Sequence, residues 1–286
     1  MNPPIVDTHQ HLIYPERWPY SWAAGIPQLA GKAFRYADYE KASAGAGITK
    51  AIFMETAPDD PHYRDEVKFV YELAAQPGSI IEGVIASCRP EEPGNFERYL
   101  ESIRHPKLVG LRRILHVMPD DLSSSPHFAD NLRLLPKHGL TFDLCFLARQ
   151  LPAAIALSRR CDGVQFILDH CGVPDVAGQV LDPWREHIRE LAALPNVACK
   201  ISGVLAYGAP KHANAAGVQP FVEHCLEQFG WDRVVWGGDW PVCNLTTTLG
   251  NWVSVSRELV KSASAADQQK LFHDNAIHIY GLNRRR

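Results

Sequence analysis

The chain has 286 residues with 29 basic and 32 acidic side chains, a net charge of −3, and is 46% hydrophobic and 21% charged. This is ordinary globular composition with enough apolar material for a large core, at a length that one barrel domain can fill. No basic run tracks phosphates and no apolar run approaches the roughly 18 to 20 residues that span a bilayer, so nucleic-acid and membrane partners are not expected.

Met1-Asn2-Pro3-Pro4 leads straight into a strand without a charged n-region or an apolar h-region, so the expected compartment is the cytosol. The closing Arg284-Arg285-Arg286 reads as a frayed end. Seven cysteines, at 88, 145, 161, 171, 199, 225 and 243, show no Cys-x-x-Cys spacing. An odd number so dispersed speaks against a disulfide framework and against a thiolate zinc site, and leaves most of them as small buried apolar residues.

The first strand is Ile5-Val6-Asp7-Thr8-His9-Gln10-His11-Leu12. At period 2, His9 and His11 share a face, and Asp7 shares it with them. Two side-by-side imidazoles are either half of a site for a zinc-like ion or a polar strand end. The stretch 14–31 is rich in Trp, Tyr and Pro and has no periodicity. Its Trp18, Tyr20 and Trp22 either form a wall or lid over a pocket beyond the two histidines or close one end of the fold. A helix over 36–46, stopped by Gly45 and Gly47, precedes a strand over 50–55. Helix and strand then alternate at 62–75 and 80–86, 95–104 and 108–115, 129–138 and 141–146, 151–159 and 165–169, 184–194 and 197–201, and 220–229 and 234–237. Helical segments at 249–262 and 265–280 end the chain.

Nearly continuous apolar strands separated by helices imply a parallel sheet covered on its outer face. Eight of them fit an α/β fold of the (β/α)8 TIM-barrel type, one domain over 1–286, better than an open doubly wound sheet. No Gly-x-Gly-x-x-Gly follows the first strand to suggest a dinucleotide. Chemistry in such a barrel sits at the C-terminal ends of the strands. Those ends carry His9 and His11, Glu55, Arg112-Arg113-Ile114-Leu115-His116, Asp143, Leu168-Asp169-His170-Cys171-Gly172, Lys200-Ile201-Ser202-Gly203 and Gly237-Gly238-Asp239-Trp240-Pro241. His9, His11, His170 and Asp239 form a candidate metal-binding set, with Glu55 as a further candidate ligand.

Adjacent residues on a strand face opposite sides, so only one of Arg112 and Arg113 enters the barrel mouth; Arg112 is the expected one, suited to a carboxylate or vicinal hydroxyls. His116 falls on the same face. Lys200 and Ser202 share a face, either bonding substrate or holding Asp239. Trp22 and Trp240 are expected substrate contacts, Trp240 as a sugar-stacking wall, while Pro241 stiffens its loop. Asp7 and Asp169 each lie near a ligand histidine and could orient it, although alternation turns Asp169 away from His170. Cys171 reads as packing.

His-x-His on the first strand, Leu-Asp-His-x-Gly on a later one, Lys-x-Ser-Gly after it and Gly-x-Asp-Trp-Pro at the end together resemble the amidohydrolase superfamily. The resemblance runs from 7 to about 280. Within the superfamily it is to the branch with sugar lactonases of the fuconolactonase and rhamnonolactonase kind and pyrone-dicarboxylate lactonase; the 18–22 loop and Gly110-Leu111-Arg112-Arg113 are similar to the sugar lactonase group. One departure is that the fourth strand offers no lysine for a carbamate bridging two metals, which argues against a binuclear centre. The resemblance implies either one divalent metal, zinc by type, or a metal-free site whose histidines donate hydrogen bonds to the carbonyl. It also implies a small-molecule substrate in carbohydrate metabolism, with a homodimer as the assembly to expect.

Opening a lactone needs a deprotonated water, a stabilised oxyanion and a proton for the leaving oxygen. Asp239 is the candidate base that takes the proton and passes it on, with His170 beside it and a metal or the imidazoles polarising the carbonyl. The rival readings are a non-oxidative decarboxylase or hydratase of the same superfamily, and a silent barrel that binds a sugar acid. The presence of every polar group at the rim speaks against the last.

Overall fold

A computed structural model describes residues 2–283, so the arginines at 284–286 lie outside the described residues. Eight strands pair in parallel in chain order: β1 Ile5–Gln10, β2 Ile48–Met54, β3 Ile81–Ser87, β4 Leu108–Ile114, β5 Thr141–Cys145, β6 Phe166–Leu168, β7 Val197–Ile201 and β8 Val234–Trp236. Between them run α1 Tyr36–Ser43, α2 Tyr63–Ala74, α3 Phe96–Ser102, α4 Pro126–Leu132, α5 Leu151–Arg160, α6 Trp184–Ala192 and α7 Ala215–Phe229, with α8 Leu249–Leu259 after the last strand. This is the eight-stranded, helix-covered parallel barrel that the alternating pattern implies. Among the described residues no helix is long and apolar enough to cross a membrane.

The sheet closes through a seam that is not a regular ladder. Asp239 donates its amide to the His9 carbonyl at 2.7 Å, and His11 donates its amide to the Trp240 carbonyl at 2.8 Å. The Thr8 hydroxyl reaches the Trp236 carbonyl at 2.8 Å. Asp7 pins the seam from outside: its Oδ1 accepts the amides of His9 at 3.0 Å and Gly238 at 2.7 Å, and its Oδ2 accepts the Tyr39 hydroxyl of α1 at 2.8 Å. Asp7 therefore does not share the face of His9, as strict alternation suggests. A register shift between Asp7 and Gln10 breaks the period, so Asp7 holds backbone and α1 rather than an imidazole.

Inside the barrel Val6, Ile52, Met54, Ile85, Val109, Ile167, Ala198 and Val235 form an apolar plug, joined by Ala276 and Tyr280 from the C-terminal segment. The larger core lies between sheet and helices, including Phe53, Phe142, Phe166, Phe221 and Trp236. Burial of these side chains at roughly 25 cal/mol per Å² of apolar surface is the main driving term for the fold.

Several element boundaries differ from the sequence reading, most by one to three residues, and four differences are larger. The 14–31 stretch contains a short 3-10 turn, Ser21–Gly25. The segment expected as one helix over 129–138 is α4 followed by a separate 3-10 turn, Leu135–His138, because Pro136 lacks the amide that would continue the ladder. Helix α7 begins five residues before Pro220, at Ala215, because Asn214 caps it by accepting the Gly217 amide; Pro220 sits inside and forfeits one ladder bond. The final segment is Ala265–Gln269, a π turn Lys270–Asp274 and Asn275–Ile279 in succession.

Burial raises the Asp7 carboxyl to about 6, against the pull of the Gly238 and His9 amides and the Tyr39 hydroxyl. Tyr39→Phe leaves Oδ2 buried without that donor, and should lower the unfolding free energy by about 1 to 3 kcal/mol. The hydrogen bond favours the ionised carboxylate, so the loss should be largest above about pH 6 and shrink as Asp7 protonates below it. Urea midpoints of the two proteins at pH 8 and pH 5 measure this; equal losses at both values would contradict the seam role of Asp7.

Candidate active site

The seam brings β1 and the loop after β8 together at the carboxyl rim. The His9 and His11 Nε2 atoms lie 3.1 Å apart, and Asp239 Oδ1 is 3.7 Å from the first and 3.6 Å from the second. His170 enters from the end of β6, its ring centroid 4.5 Å from that of His9 and its Nδ1 3.9 Å from Asp239 Oδ2. His170 and Asp239 both adopt left-handed backbone, with φ of 54° and 55°. That conformation is uncommon for side-chain-bearing residues, and here it turns both side chains into the mouth. Gly203 clears the space behind them: a Cβ there would stand 2.4 Å from His170 Nδ1 and 2.8 Å from Asp239 Oδ2.

The surroundings set the protonation of each ring. The His11 Nδ1 faces the Met54 carbonyl at 3.0 Å, which places its proton there and leaves the Nε2 lone pair toward His9 and Asp239. Asp169 Oδ1 and Lys200 Nζ each lie 3.4 Å from His9 Nδ1. Burial lowers all three imidazoles: His11 to about 3, with Arg112 adding to the effect, His9 well below its ordinary value, and His170 in the same direction against the pull of Asp239. Burial raises the Asp239 carboxyl to about 6, opposed by His170 and Arg112.

Neutral imidazoles beside a carboxylate are a donor set for a divalent ion. Ligand atoms of His9, His170 and Asp239 all lie within 4.8 Å of one another, and His11 borders them through its Nε2. Asp239 Oδ2 is buried with no hydrogen-bond partner, as expected of an oxygen that a cation or water completes. The residues present fit a metal.

Behind the imidazoles lies a charged layer. The Arg112 Nε donates to Glu55 Oε1 at 2.7 Å and its second terminal nitrogen to the Glu55 carbonyl at 2.8 Å, while the first lies 3.3 Å from both Asp169 Oδ2 and His9 Nε2. Arg113 faces outward to Glu91 at 2.6 Å. Lys200 pairs with Asp143 at 2.5 Å and Asp169 at 2.9 Å, and the Tyr280 hydroxyl closes the layer on Asp143 at 3.1 Å.

Several expectations change in consequence. Glu55 is not a ligand, since its two oxygens accept Arg112 and the Ala57 amide. Lys200, on the inner face as alternation suggests, is fully buried, held by two carboxylates and 3.4 Å from His9 Nδ1. Trp240 packs into the outer layer, its ring 5.6 Å from both Phe34 and Tyr39, and forms no wall of the mouth. Asp169 orients His9 rather than His170, whose Nδ1 instead faces the Ser202 hydroxyl at 2.9 Å.

Trp22 does stand at the rim, 38% exposed, with its Nε1 donating to the Thr56 carbonyl at 2.9 Å. Trp18 instead packs against Phe69. His116 lies beside Cys145, its Nδ1 3.1 Å from the sulfur. The sequence reading missed Tyr207, half-buried with its ring 5.8 Å from that of His170. The only signal for it was an aromatic residue in the loop after the seventh strand.

A parallel barrel whose strand ends gather neutral imidazoles and one unpartnered carboxylate is a hydrolase-type scaffold with its chemistry at the rim. The amidohydrolase family model matches residues 6–282, and the chain belongs to that family. It is 31% identical to an L-fucono-1,5-lactonase of Burkholderia multivorans, over 97% of this chain and 96% of that protein. It is 26% identical to an L-fucono-1,5-lactonase of Burkholderia ambifaria, over 98% and 96%. A crystal structure of an amidohydrolase from Burkholderia multivorans with bound zinc superposes with a TM-score of 0.88 at 27% identity, covering 97% of this chain and 99% of that one.

Protons would compete with a divalent cation for Asp239, whose carboxyl burial raises to about 6, while burial lowers all three imidazoles below their ordinary value. Affinity for a divalent cation should therefore be level above about pH 6 and fall below it, by about tenfold per pH unit. Calorimetric titration between pH 5 and 7.5 checks this, and a flat profile would remove Asp239 from the binding set.

Proposed function

We propose that the protein hydrolyses a sugar lactone at this rim. The observation that carries the reading is the Asp239 carboxylate, buried, raised toward neutrality and free at Oδ2, facing three neutral imidazoles. The full-length likeness to two proteins named L-fucono-1,5-lactonase supports the substrate class.

Asp239 Oδ2 accepts a proton from a water whose oxygen bonds to the lactone carbonyl carbon. A base near pH 6 suits that transfer at neutral pH. The tetrahedral adduct collapses by breaking the bond from carbonyl carbon to ring oxygen. Asp239 returns its proton to that oxygen, and the product is a hydroxy acid. A divalent cation, zinc in our reading, would be held by His9, His11, His170 and Asp239 and would supply Lewis-acid polarisation of the carbonyl. His170, braced by Ser202, keeps Asp239 oriented, and Arg112 with Asp169 fixes the His9 ring. Trp22, His116 and Tyr207 border the mouth and contact the sugar, Trp22 offering an apolar face to C–H groups.

Asp239→Asn should lower kcat/KM on an aldonolactone by about two to four orders of magnitude with the fold intact by circular dichroism. Near wild-type turnover in a pH-indicator assay of acid release would reject the assignment. Chelation should abolish activity and one equivalent of zinc per chain should restore it. Full activity after complete metal removal would move carbonyl polarisation onto the imidazoles. A panel of aldonolactones giving no acid release would overturn the lactonase reading itself.

A further inference from the structure

The turn that aims His170 into the mouth sends its neighbour the other way. Cys171, also left-handed with φ of 53°, carries its sulfur into the layer between sheet and helices. There it meets Cys199 of β7 and Cys225 of α7. Along β7, Ala198 and Lys200 face the barrel interior, which leaves Cys199 on the outer face. The three sulfurs lie within 4.8 Å of one another, all three residues are buried, and none is in a disulfide.

Free cysteines pack as small apolar groups, and that suffices for the other four in the chain. One feature here goes beyond packing. Three sulfurs from three separate elements converge on one point. The Cys171 thiol donates to the Lys200 carbonyl at 3.8 Å. No imidazole or carboxylate joins the group among the described residues.

We propose that Cys171, Cys199 and Cys225 form a second metal site, a three-sulfur pocket for a thiophilic d10 cation of the copper(I), cadmium or mercury class. Binding replaces three S–H bonds with three metal–sulfur bonds and releases three protons to solvent. Closed zinc sites take four ligands, whereas this pocket offers three soft donors and no fourth, which favours ions satisfied by low coordination. Its donors are all sulfur and those at the rim all nitrogen and oxygen, so the two sites select different ions. An ion here ties α7 and β7 to the turn that presents His170.

The test is production of the protein in cadmium-supplemented medium, with zinc added afterwards to occupy the rim. X-ray absorption at the cadmium edge should count three sulfurs, accompanied by an ultraviolet sulfur-to-cadmium charge-transfer band. Cys225→Ser, remote from the rim, should lose the three-sulfur signature. Protein without bound cadmium, a shell of nitrogen and oxygen only, a single sulfur, or an unchanged signature in Cys225→Ser would each overturn the proposal. The sulfur count on the unsubstituted protein decides the matter even where Cys225→Ser does not fold.

Discussion

The hydrogen bonds that close β1 onto the loop after β8 are the constraint on which the site depends. Two of the imidazoles ride on β1 and the carboxylate on the loop after β8, the two chain-distant edges of the sheet. Their approach to 3.6–3.7 Å exists only because His9 and His11 exchange backbone hydrogen bonds with Asp239 and Trp240. Asp7 makes that exchange rigid. One carboxylate oxygen takes an amide from each edge, and charge-assisted bonds to backbone donors are stronger than neutral ones. The residue that looks most like a partner for the rim histidines is thus a clasp for the backbone that carries them.

Electrostatics follow from what the clasp assembles. Arg112 and Lys200 are surrounded by Glu55, Asp143 and Asp169, with Asp239 just above. Carboxylates outnumber cations, and all of these side chains are buried. Burial accordingly pushes Asp143 to about 7 and Asp239 to about 6. Asp169, between Lys200, His9 and Arg112, goes the other way, well below its ordinary range despite its burial. The asymmetry divides the work: Asp169 stays ionised among His9, Lys200 and Arg112, while Asp239 is left with a proton affinity near neutrality. A cation among the imidazoles would relieve the excess of negative charge, which is the electrostatic counterpart of the free oxygen on Asp239.

Legibility in the sequence divided along physical lines. Strand and helix order was readable because buried parallel strands are apolar throughout and helices intervene. The rim set was readable because the barrel fixes which end of each strand does chemistry. What alternation cannot supply is depth or a break in period. Lys200 is on the inner face but fully buried between two carboxylates. Asp7 changes face because of a register shift in β1. Trp240, next to Asp239, turns outward because the left-handed backbone at Asp239 redirects the chain. The three converging cysteines are far apart in sequence and only the packing of β6, β7 and α7 joins them, so a search for close Cys spacing could not find them.

The barrel interior is graded along its axis, and the grading accounts for where reactivity can appear. At the amino end the plug from Val6 to Val235, backed by Ala276 and Tyr280, is apolar and buried. Above it lies the ion-paired layer, in which Arg112 and Lys200 hold Glu55, Asp143 and Asp169. Only the third layer holds neutral bases with open valences, and only that layer meets the loops bearing Trp22, His116 and Tyr207. A charge developing on a substrate carbonyl there is screened weakly from below, the condition under which fixed groups act on a transition state more strongly than they would in water. Depth in the barrel, more than residue type, separates the carboxylate that can act as a base from those that only hold the structure.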